Sequence, residues 1–534
     1  MSQPFGLSAK GGLYRSLNQL EMLGQPGIAA KLTNFEVDTD GGYRRVSGFG
    51  VYGGASAARP NSTEPILGIQ VYGDGVIVCS GTGIFFSQDG TSWISIAKQS
   101  VHSSGDNYTT FTGRTDLTRT GQGQISFSIF EGTFDYGEVL ICDGANKPYF
   151  FRMEGTGALS TRTFFAGEIT VDGTKAPTVG AMHDKHFVVA GADGAENTVY
   201  YSHTNDPDDF TGTGAGSVVL EDQVVGLASF RDDLIIFCKN SIFKLVNIND
   251  SQTVAVTPIT KNVGCMDRNS IQEIAGDLIF LSPDGLRTVA GTVRIGDVEL
   301  GTVSRPIQPI IKNIAANIDN FTISSVVIRR KSQYRLFYTT NSTSNIAAKG
   351  IIATLTNEGF QFSETEGIKS IAIGSGFDVD GVEQVYHGDS DGYIYVHDTG
   401  TSFDYGGTAN NVTATYQTPN LDFGDIGTKK TVRNIRISMS PEGAIQPTLR
   451  VRYDYESTDI SQPLDYTLDS IPLPSIFGSG VFGTNVFGAS PDPMIRKAIE
   501  GSGNTISFII TSSDTNAAYT VNGMYIDYAP SGRR

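Results

Sequence analysis

The chain has 534 residues, of which 39% are hydrophobic and 10% aromatic. That length supports two or more hydrophobic cores, and that composition excludes disorder throughout the chain. The formal net charge of −17 argues against a surface that coats nucleic acid, which would be basic. The 63 glycines follow no Gly-X-Y period, which excludes collagen.

Export and membrane signals are not evident in the sequence. The start, MSQPFGLSAKGGL, lacks the apolar core of a signal peptide, and no continuous apolar run reaches the roughly 18 residues of a membrane span. The cysteines are widely spaced and mostly lie in apolar strands, which favours buried free thiols over disulfides. We therefore expect a soluble protein without stable membrane insertion, folded in a cytoplasm. The four cysteines are Cys79, Cys142, Cys238 and Cys265.

Residues 1–60 differ from the rest and are predicted to form an N-terminal extension that makes assembly contacts. Residues 16–31 are expected to hold one or two short helical turns, broken by glycine and proline at 24–27. An alternating strand at 32–38 and a Gly-Gly turn at 41–42 follow. Arg44 and Arg45 come directly after this turn.

From residue 61 to 409 the chain alternates short apolar strands with glycine-rich turns. Asp-Gly pairs accept the positive φ angles of tight hairpins. Residues 66–96 read as four strands, which is the strand count of one propeller blade. Similar patterns recur at 179–202, 224–246, 271–289 and 371–396. The Asp-Gly pairs begin at Asp74, Asp89, Asp143, Asp172, Asp193, Asp284, Asp380 and Asp391.

This pattern predicts a β-propeller of six or seven blades, although a sandwich of several hairpins would give much of the same signal. The segment Ser87 to Trp93 is close to the Asp-box of sialidase-type propellers, one residue short of its usual spacing. That box is a folding device, in which the Asp caps a hairpin turn and the Trp packs between strands. One helix interrupts the strands, because Ile307, Ile310, Ile311 and Ile314 follow helical spacing after Pro306.

Residues 410–534 show clean strand alternation and are predicted to form a separate antiparallel β-sandwich. This part carries several basic residues, among them Lys429 and Lys430. A loop at 474–490 places Phe477, Phe482 and Phe487 each before a glycine. These phenylalanines either fold back on their own domain or anchor in pockets of a neighbouring subunit. The fold class predicted for the whole chain is all-β, with extension, propeller and sandwich in that order.

A search for chemistry finds no catalytic constellation. His183 and His186 are three apart, so on an extended segment they would point to opposite faces, which disfavours a shared metal. The acidic turns at 206–209 and 378–381 lack a full series of calcium ligands. No phosphate loop or nucleophile elbow is present. We therefore predict no enzyme activity, no cofactor, no metal site and no catalytic residue.

Short stretches spread over the whole chain resemble the tail nozzle proteins of bacteriophages, the group of packaged-DNA stabilisation and tail tubular B proteins. They begin with PGIAAKLTNFEVD and the following GGYRRVSGF. The others are VSRPI at 303–307, GYIYVHDTG at 392–400, LDFG at 421–424 before the two lysines, and the tail from 523 to Arg534.

The resemblance implies a structural virion protein that forms a ring, usually of six copies, below the portal and adaptor. Such a ring extends the DNA channel, retains the packaged genome until ejection and lets DNA pass transiently without reading its sequence. Portal, adaptor and tail fibre proteins are the implied partners, and assembly takes place in the host cytoplasm. On this reading Arg44, Arg45, Lys429, Lys430 and the three loop phenylalanines are candidate contacts between subunits.

The alternative interpretation is a propeller that binds or cleaves glycans, as a receptor-binding or fibre-associated protein does. It predicts a deep axial pocket lined by paired carboxylates or by stacked aromatic rings.

Overall fold

Antiparallel strands build nearly the whole molecule in the computed structural model. The structure describes residues 3–23, 25–96, 119–120, 123–131, 134–157, 159, 162–250, 252–290, 302–340, 342–468 and 494–533.

The N-terminal part contributes five short strands and one short helix. The strands are β1 (Gln3–Ser8), β2 (Lys31–Thr33), β3 (Phe35–Val37), β4 (Tyr43–Arg45) and β5 (Phe49–Val51), and the helix is α1 (Gln19–Met22). Asn18 caps the helix, because its side chain accepts hydrogen bonds from the backbone of Leu20 and Glu21.

Four four-stranded meanders follow, each with its strands in sequence order. The first comprises β6 (Ile66–Tyr72), β7 (Gly75–Ser80), β8 (Gly83–Ser87) and β9 (Ile94–Ser95). The second comprises β10 (Ser126–Phe130), β11 (Glu138–Cys142), β12 (Tyr149–Glu154) and β13 (Thr163–Glu168). The third comprises β14 (Val179–His183), β15 (His186–Ala192), β16 (Ala195–Tyr201) and β17 (Gly216–Val219). The fourth comprises β18 (Val224–Phe230), β19 (Asp233–Cys238), β20 (Ile242–Val246) and β21 (Ala255–Thr260).

Three more sheets complete the circle. The fifth has three strands, β22 (Gln272–Ile274), β23 (Asp277–Ser282) and β24 (Gly285–Thr288). The helix α2 (Gln308–Ala316) comes between it and the next sheet. The sixth comprises β25 (Thr322–Ile328), β26 (Gln333–Thr339), β27 (Lys349–Thr356) and β28 (Gly359–Glu366). The seventh comprises β29 (Ala372–Phe377), β30 (Glu383–Gly388) and β31 (Ile394–His397), with β5 as its fourth strand.

The first strands of these sheets lie side by side around a common axis, and β29 returns to contact β6. The described residues therefore form a β-propeller with six four-stranded blades and one three-stranded sheet between the fourth and sixth positions. This confirms the predicted fold class. Strand β5 closes the ring, since its Gly50 pairs with Val396 of β31, so the last blade takes a strand from the N-terminal part.

The remaining strands build the sandwich, except for β32 and β33, which belong to the sheet of the seventh blade. They are β32 (Phe403–Tyr405), β33 (Thr408–Asn410), β34 (Val412–Gln417), β35 (Thr428–Pro441), β36 (Thr448–Tyr453), β37 (Tyr466–Thr467), β38 (Met494–Ala498), β39 (Ser502–Gly503), β40 (Ile506–Asp514) and β41 (Tyr519–Arg533). One sheet runs β3-β4-β41-β35-β38, with β1 also paired to β41 and β39 to β35. The other runs β2-β34-β40-β36-β37. Strands β32 and β33 extend the seventh blade beyond β5.

The sandwich and the propeller share one sheet. Strand β2 pairs in parallel with β28 at Thr33 and Glu364, and it pairs antiparallel with β34 on its other side. The sixth blade therefore continues without a break into the sandwich. The boundaries predicted at residues 60 and 409 divide the sequence but not the sheets, because strands from 1–60 are built into both bodies.

Several local predictions can be compared with the structure. The predicted helix is present as α2, with Ile311 and Ile314 buried against the core. The predicted opposite orientation of His183 and His186 is wrong. These residues form a register pair, because the chain turns in two residues between β14 and β15, with positive φ at Asp184 and Lys185.

The Asp-box-like segment behaves as a folding device. The Asp89 carboxylate accepts the backbone N–H of Thr91 at 2.9 Å, and the indole N–H of Trp93 donates to the Ala58 carbonyl at 2.8 Å. The segment therefore closes the turn between β8 and β9.

All four cysteines are buried free thiols, as the sequence predicts. Burial raises the pKa of the Cys79 thiol to about 11, so this thiol is protonated and unreactive near neutral pH. Within the described ranges, no helix is long and apolar enough to cross a membrane.

A buried group of charged side chains joins the N-terminal strands to the sixth and seventh blades. We call this group, Glu36, Asp398, Lys331 and Arg335, the ionic clasp. Glu36 lies on β3, Arg335 on β26, and Asp398 directly after β31. Arg335 bridges both carboxylates, at 3.0 Å to Glu36 and 3.3 Å to Asp398, and Lys331 does the same at 2.9 and 3.1 Å. The side chains of Arg335, Glu36 and Asp398 are 2%, 3% and 5% exposed.

The electrostatics of the clasp follow from this burial. Burial alone would raise the pKa of Glu36, but Lys331 and Arg335 outweigh it and lower that pKa. The same two cations lower the pKa of Asp398 against the effect of its own burial. Two histidines pack beside the clasp. Burial, and then Arg335, lower the pKa of His397 to about 3, and burial with His397 lowers the pKa of His387.

Removing one clasp cation should be far more damaging than removing a surface one. We expect Arg335→Met to lower the free energy of unfolding by about 3–5 kcal/mol, because it leaves buried carboxylates short of positive charge. Arg330→Met is the matched control. Arg330 contacts the same Asp398 carboxylate at 3.4 Å but is 47% exposed, so its loss should change stability by about 0–1 kcal/mol. Equilibrium urea denaturation measures both, and equal effects would contradict a buried clasp.

Stability should fall with acid in a defined window. His387 and His397 stay neutral in the folded state, whereas in the unfolded chain they take up protons below about 6.5. The unfolded state then binds more protons, so each histidine makes stability decrease as pH falls from 6.5 towards 3, by about 1.4 kcal/mol per pH unit, whereas the raised pKa of Glu138 offsets part of this loss above about 4.5. Below about 4.5 the carboxylates of the clasp add to this loss, because their folded pKa values are depressed.

The variant His397→Phe tests the histidine contribution. It removes one of the two groups and should flatten the dependence of the unfolding midpoint on pH between 6.5 and 4.5. The same slope in variant and wild type would show that His397 does not carry it.

Candidate functional site

Polar side chains close the propeller at its axis. In a propeller the first strand of every blade presents an unpaired edge to the axis, and its carbonyls need donors. Gln124, just before β10, supplies two, since its Nε2 donates to the carbonyls of Ile323 and Ile371 at 2.8 Å each. These carbonyls adjoin the sixth and seventh blades. One glutamine thus ties the second blade to two blades, through contacts with residues 199 and 247 positions further along the chain.

The segment between β21 and β22 approaches the same point from the fifth sheet. Arg268 donates to the carbonyls of Thr178 and Gln124, and Asn269 donates to the Gln124 side-chain oxygen at 2.7 Å. Gln272 donates to the carbonyl of Ser325 at 3.0 Å. Together these bonds link the second, third, fifth and sixth sheets across the axis.

A polar cavity of about 350 Å³ lies beside these ties. Its walls are the first strands of the first, second, sixth and seventh blades and the segment before β22. Among the described lining residues there is no carboxylate and a single aromatic ring, Phe127. A neighbouring cavity of about 240 Å³ has one carboxylate among its described lining residues, that of Glu273. These walls do not provide the two carboxylates that glycoside hydrolysis requires, nor a stack of aromatic rings.

The basic residues predicted as contacts differ in their surroundings. Arg45 is 1% exposed, and its guanidinium donates to the side chain and the carbonyl of Asp514, each at 2.7 Å. Lys430 is also buried and donates to the carbonyl of Asn504 at 2.9 Å. Both cations are enclosed in the sandwich, so neither is available to a neighbouring subunit in this fold.

Two predicted basic contacts lie nearer the surface. Arg44 holds both oxygens of Glu442, at 2.5 and 2.8 Å, and also reaches Glu36 at 2.8 Å. Lys429 is half-buried on β35. Their role in contacts between subunits stays a prediction. Phe477, Phe482 and Phe487 lie outside the described residues.

No metal site is formed by the acidic turns within the ranges that the structure describes, where no three His, Cys, Asp or Glu side chains converge. Asp209 instead caps its own turn, accepting the backbone N–H groups of Thr211 and Gly212. Asp378 does the same for Asp380 and Val382.

Sequence reasoning missed the axial residues Gln124, Arg268 and Asn269. They lie between strands in segments without a recognisable motif, and their shared role depends on closure of the ring. The one available signal was an interruption of the strand pattern at 261–270, where no Asp-Gly turn pair occurs.

No protein-family model matches the chain, and no curated protein matches it in sequence. Among solved structures, it is similar to a chain in a cryo-EM structure of RAG in complex with one melted RSS and one unmelted RSS. The identity is 10%, 64% of this chain and 95% of that chain are covered, and the TM-score is 0.33.

Two further structures show the same level of similarity. The N-terminal domain of Nup159 has 12% identity, with 51% of this chain and 88% of that chain covered and a TM-score of 0.30. The Pan2 WD40 domain of Neurospora crassa has 10% identity, with coverage of 68% and 88% and a TM-score of 0.29.

The hydrogen bonds that Gln124 makes at the propeller axis should contribute measurably to the stability of the fold. Gln124→Ala leaves two carbonyls and one amide without partners, at about 1–3 kcal/mol for each group that water does not reach. We therefore expect a lower midpoint of thermal unfolding in scanning calorimetry. Gln70→Ala is the matched control, because Gln70 lines the same cavity but donates only to its neighbour Val71. A midpoint equally lowered in both variants would contradict the assignment of Gln124 as a tie between blades.

Proposed function

We propose that this protein is a structural subunit of a bacteriophage tail, which assembles into a nozzle ring that extends the DNA channel and retains the packaged genome until ejection. The observation that carries the proposal is the set of hydrogen bonds between blades at the propeller axis. Gln124, Arg268 and Asn269 make these bonds, and the two cavities described beside them have volumes of about 350 and 240 Å³ without a pair of carboxylates. We therefore assign the function to the outer surfaces of the propeller and not to an axial pocket.

A propeller tied in this way can line a channel when several copies surround it. The continuation of the sixth blade into the sandwich supports this role, since β2 joins the two bodies of each subunit in one hydrogen-bonded sheet. We expect a ring of such subunits, six in the resembled family, to resist the pressure of packed DNA. Closed rings of identical subunits use one repeated contact.

The negative charge of the chain fits a wall along which DNA slides. Duplex DNA carries about one phosphate charge per 1.7 Å of its axis. A protein of net charge −17 repels that backbone, whereas a lysine-rich wall would grip it and slow ejection. We therefore expect the genomic DNA to pass through the ring without binding to it. Portal, adaptor and tail fibre proteins are the partners proposed for the two ends of the ring, and the tail of the virion is the proposed location.

The proposal predicts that the purified protein forms rings and does not retain DNA. Sedimentation velocity and negative-stain electron microscopy should show closed rings with a central channel at micromolar concentration. A fluorescent 30-base-pair duplex should show no binding at physiological salt. A strictly monomeric protein at about 100 µM, or tight DNA binding, would contradict it.

A glycan screen separates the alternative. Binding on a glycan array, or turnover of a chromogenic glycoside that is lost on substituting Glu273, would favour the glycan propeller over the nozzle.

A further inference from the structure

Two arginines stand directly opposite each other on the outer face of the sandwich sheet that contains β35, β38 and β41. Arg436 of β35 is in register with Arg496 of β38 on one side and with Tyr525 of β41 on the other. Opposed residues in antiparallel strands have Cβ atoms about 4.5–5.5 Å apart, and like charges in such a pair are destabilising. The isolated subunit thus carries an unfavourable pair that a negative partner would relieve.

Compensation inside the subunit is partial. Asp527 approaches Arg436 at 3.6 Å, and the Tyr525 ring centre lies 5.4 Å from the same guanidinium. The Nε of Arg436 is buried without a hydrogen-bond partner. Arg496 is exposed and makes no ion pair with any residue that the structure describes. Positive charge is therefore left over at this face.

The same face exposes large apolar side chains. Met494 is 45% exposed and Tyr525 is 36% exposed, next to the two arginines. Arginine, methionine and tyrosine are enriched in protein interfaces, whereas the Asp527 carboxylate beside Arg436 would repel a polyphosphate. We call Arg436, Arg496, Tyr525 and Met494 the arginine face. Its composition fits an acidic protein surface.

An acidic surface of matching kind lies on the propeller of the same chain. The loop 202–215, between β16 and β17 of the third blade, exposes Asp206 and Asp208, and we call it the acidic loop. Nearby, burial and then the charge of Asp208 raise the pKa of Glu138 to about 8. The guanidinium that Glu138 contacts, Arg152 at 3.4 Å, is shared with Glu154. Carboxyl groups therefore outnumber cations here.

Charge is also divided unevenly between the sandwich and the rest of the chain. Residues 410–534 hold 10 Lys and Arg against 12 Asp and Glu, whereas the rest of the chain holds 29 against 44. The sandwich is thus nearly neutral and the propeller part strongly acidic. Complementary surfaces on the two bodies of one chain suit a head-to-tail contact between copies.

We propose that the arginine face of one copy docks on the acidic loop of a second copy. This inference rests on the proposed ring and identifies the repeated contact within it. Because the two surfaces differ, each copy offers one of each, and the contact propagates until the ring closes.

Arg496→Glu tests the arginine face without weakening the fold. The new carboxylate stands opposite Arg436, so the subunit gains an opposite-charge pair and its thermal midpoint should hold or rise. Self-association measured by sedimentation should weaken roughly tenfold or more, because like charges then face each other across the contact. Lys312→Glu, an exposed change of equal charge on α2, is the control and should assemble as wild type does.

Charge exchange tests the pairing itself. The double variant Asp206→Arg with Asp208→Arg should also fail to assemble alone. An equimolar mixture of this variant with Arg496→Glu should form rings in which the two alternate, since each faces its complement. Mixed rings in native mass spectrometry would support the proposal, and their absence would overturn the acidic loop as the docking site.

The remaining outcomes distinguish failure of this contact from failure of the nozzle proposal. Rings of wild type that Arg496→Glu leaves intact would overturn this contact and leave the nozzle standing. A wild type that never associates would overturn both. If the wild type bound duplex DNA and Arg496→Glu lost that binding with assembly unchanged, the face would be assigned to nucleic acid, which would overturn both the protein contact and the nozzle.

Discussion

The edges of the β-sheets govern this structure. Every strand at a sheet edge has backbone N–H and C=O groups that need partners, and an uncovered edge invites aggregation. Here the outer edge of the sixth blade is covered by β2, the last blade is completed by β5, and β1 covers part of β41. The N-terminal strands are therefore the shared material that makes one body of propeller and sandwich. At the propeller axis, side chains such as Gln124 provide hydrogen-bond partners for backbone groups at the inner edges of the blades.

The buried ion pairs also join residues that are far apart in the sequence. Arg45 and Asp514 meet from positions 469 apart, and Arg335 and Glu36 meet from positions 299 apart. In each case an arginine bridges strands that the backbone ladder brings close but does not hold face to face. Such pairs add little net stability over an apolar core, but they make an incomplete assembly costly, because a missing partner leaves a naked buried charge. They therefore favour the one arrangement in which all these strands are present.

The fold was predictable to the extent that it depends on local signals. Asp-Gly turns and two-residue alternation indicated strands and hairpins, and the spacing of Ile307, Ile311 and Ile314 gave the helix. What the sequence did not reveal depends on distance along the chain. Arg45 and Lys430 look like surface cations in their local context, and only strands far away in sequence enclose them. For the same reason Gln124 looked like a loop residue, although it meets the sixth and seventh blades at the axis.

The pairing of β1 with β41 has a consequence for biosynthesis. Gln3 and Tyr528, which bond through their side chains, are 525 positions apart. At roughly 5–20 residues per second, a ribosome needs on the order of 30–100 s to cover that interval. During this time β1 waits without its neighbour β41, while β3 can already pair with β4 and the middle blades can fold from contiguous chain. Because stalled or truncated products never supply β41, their β1 strand is left with an open edge, by which chaperones and proteases can distinguish them from the finished protein.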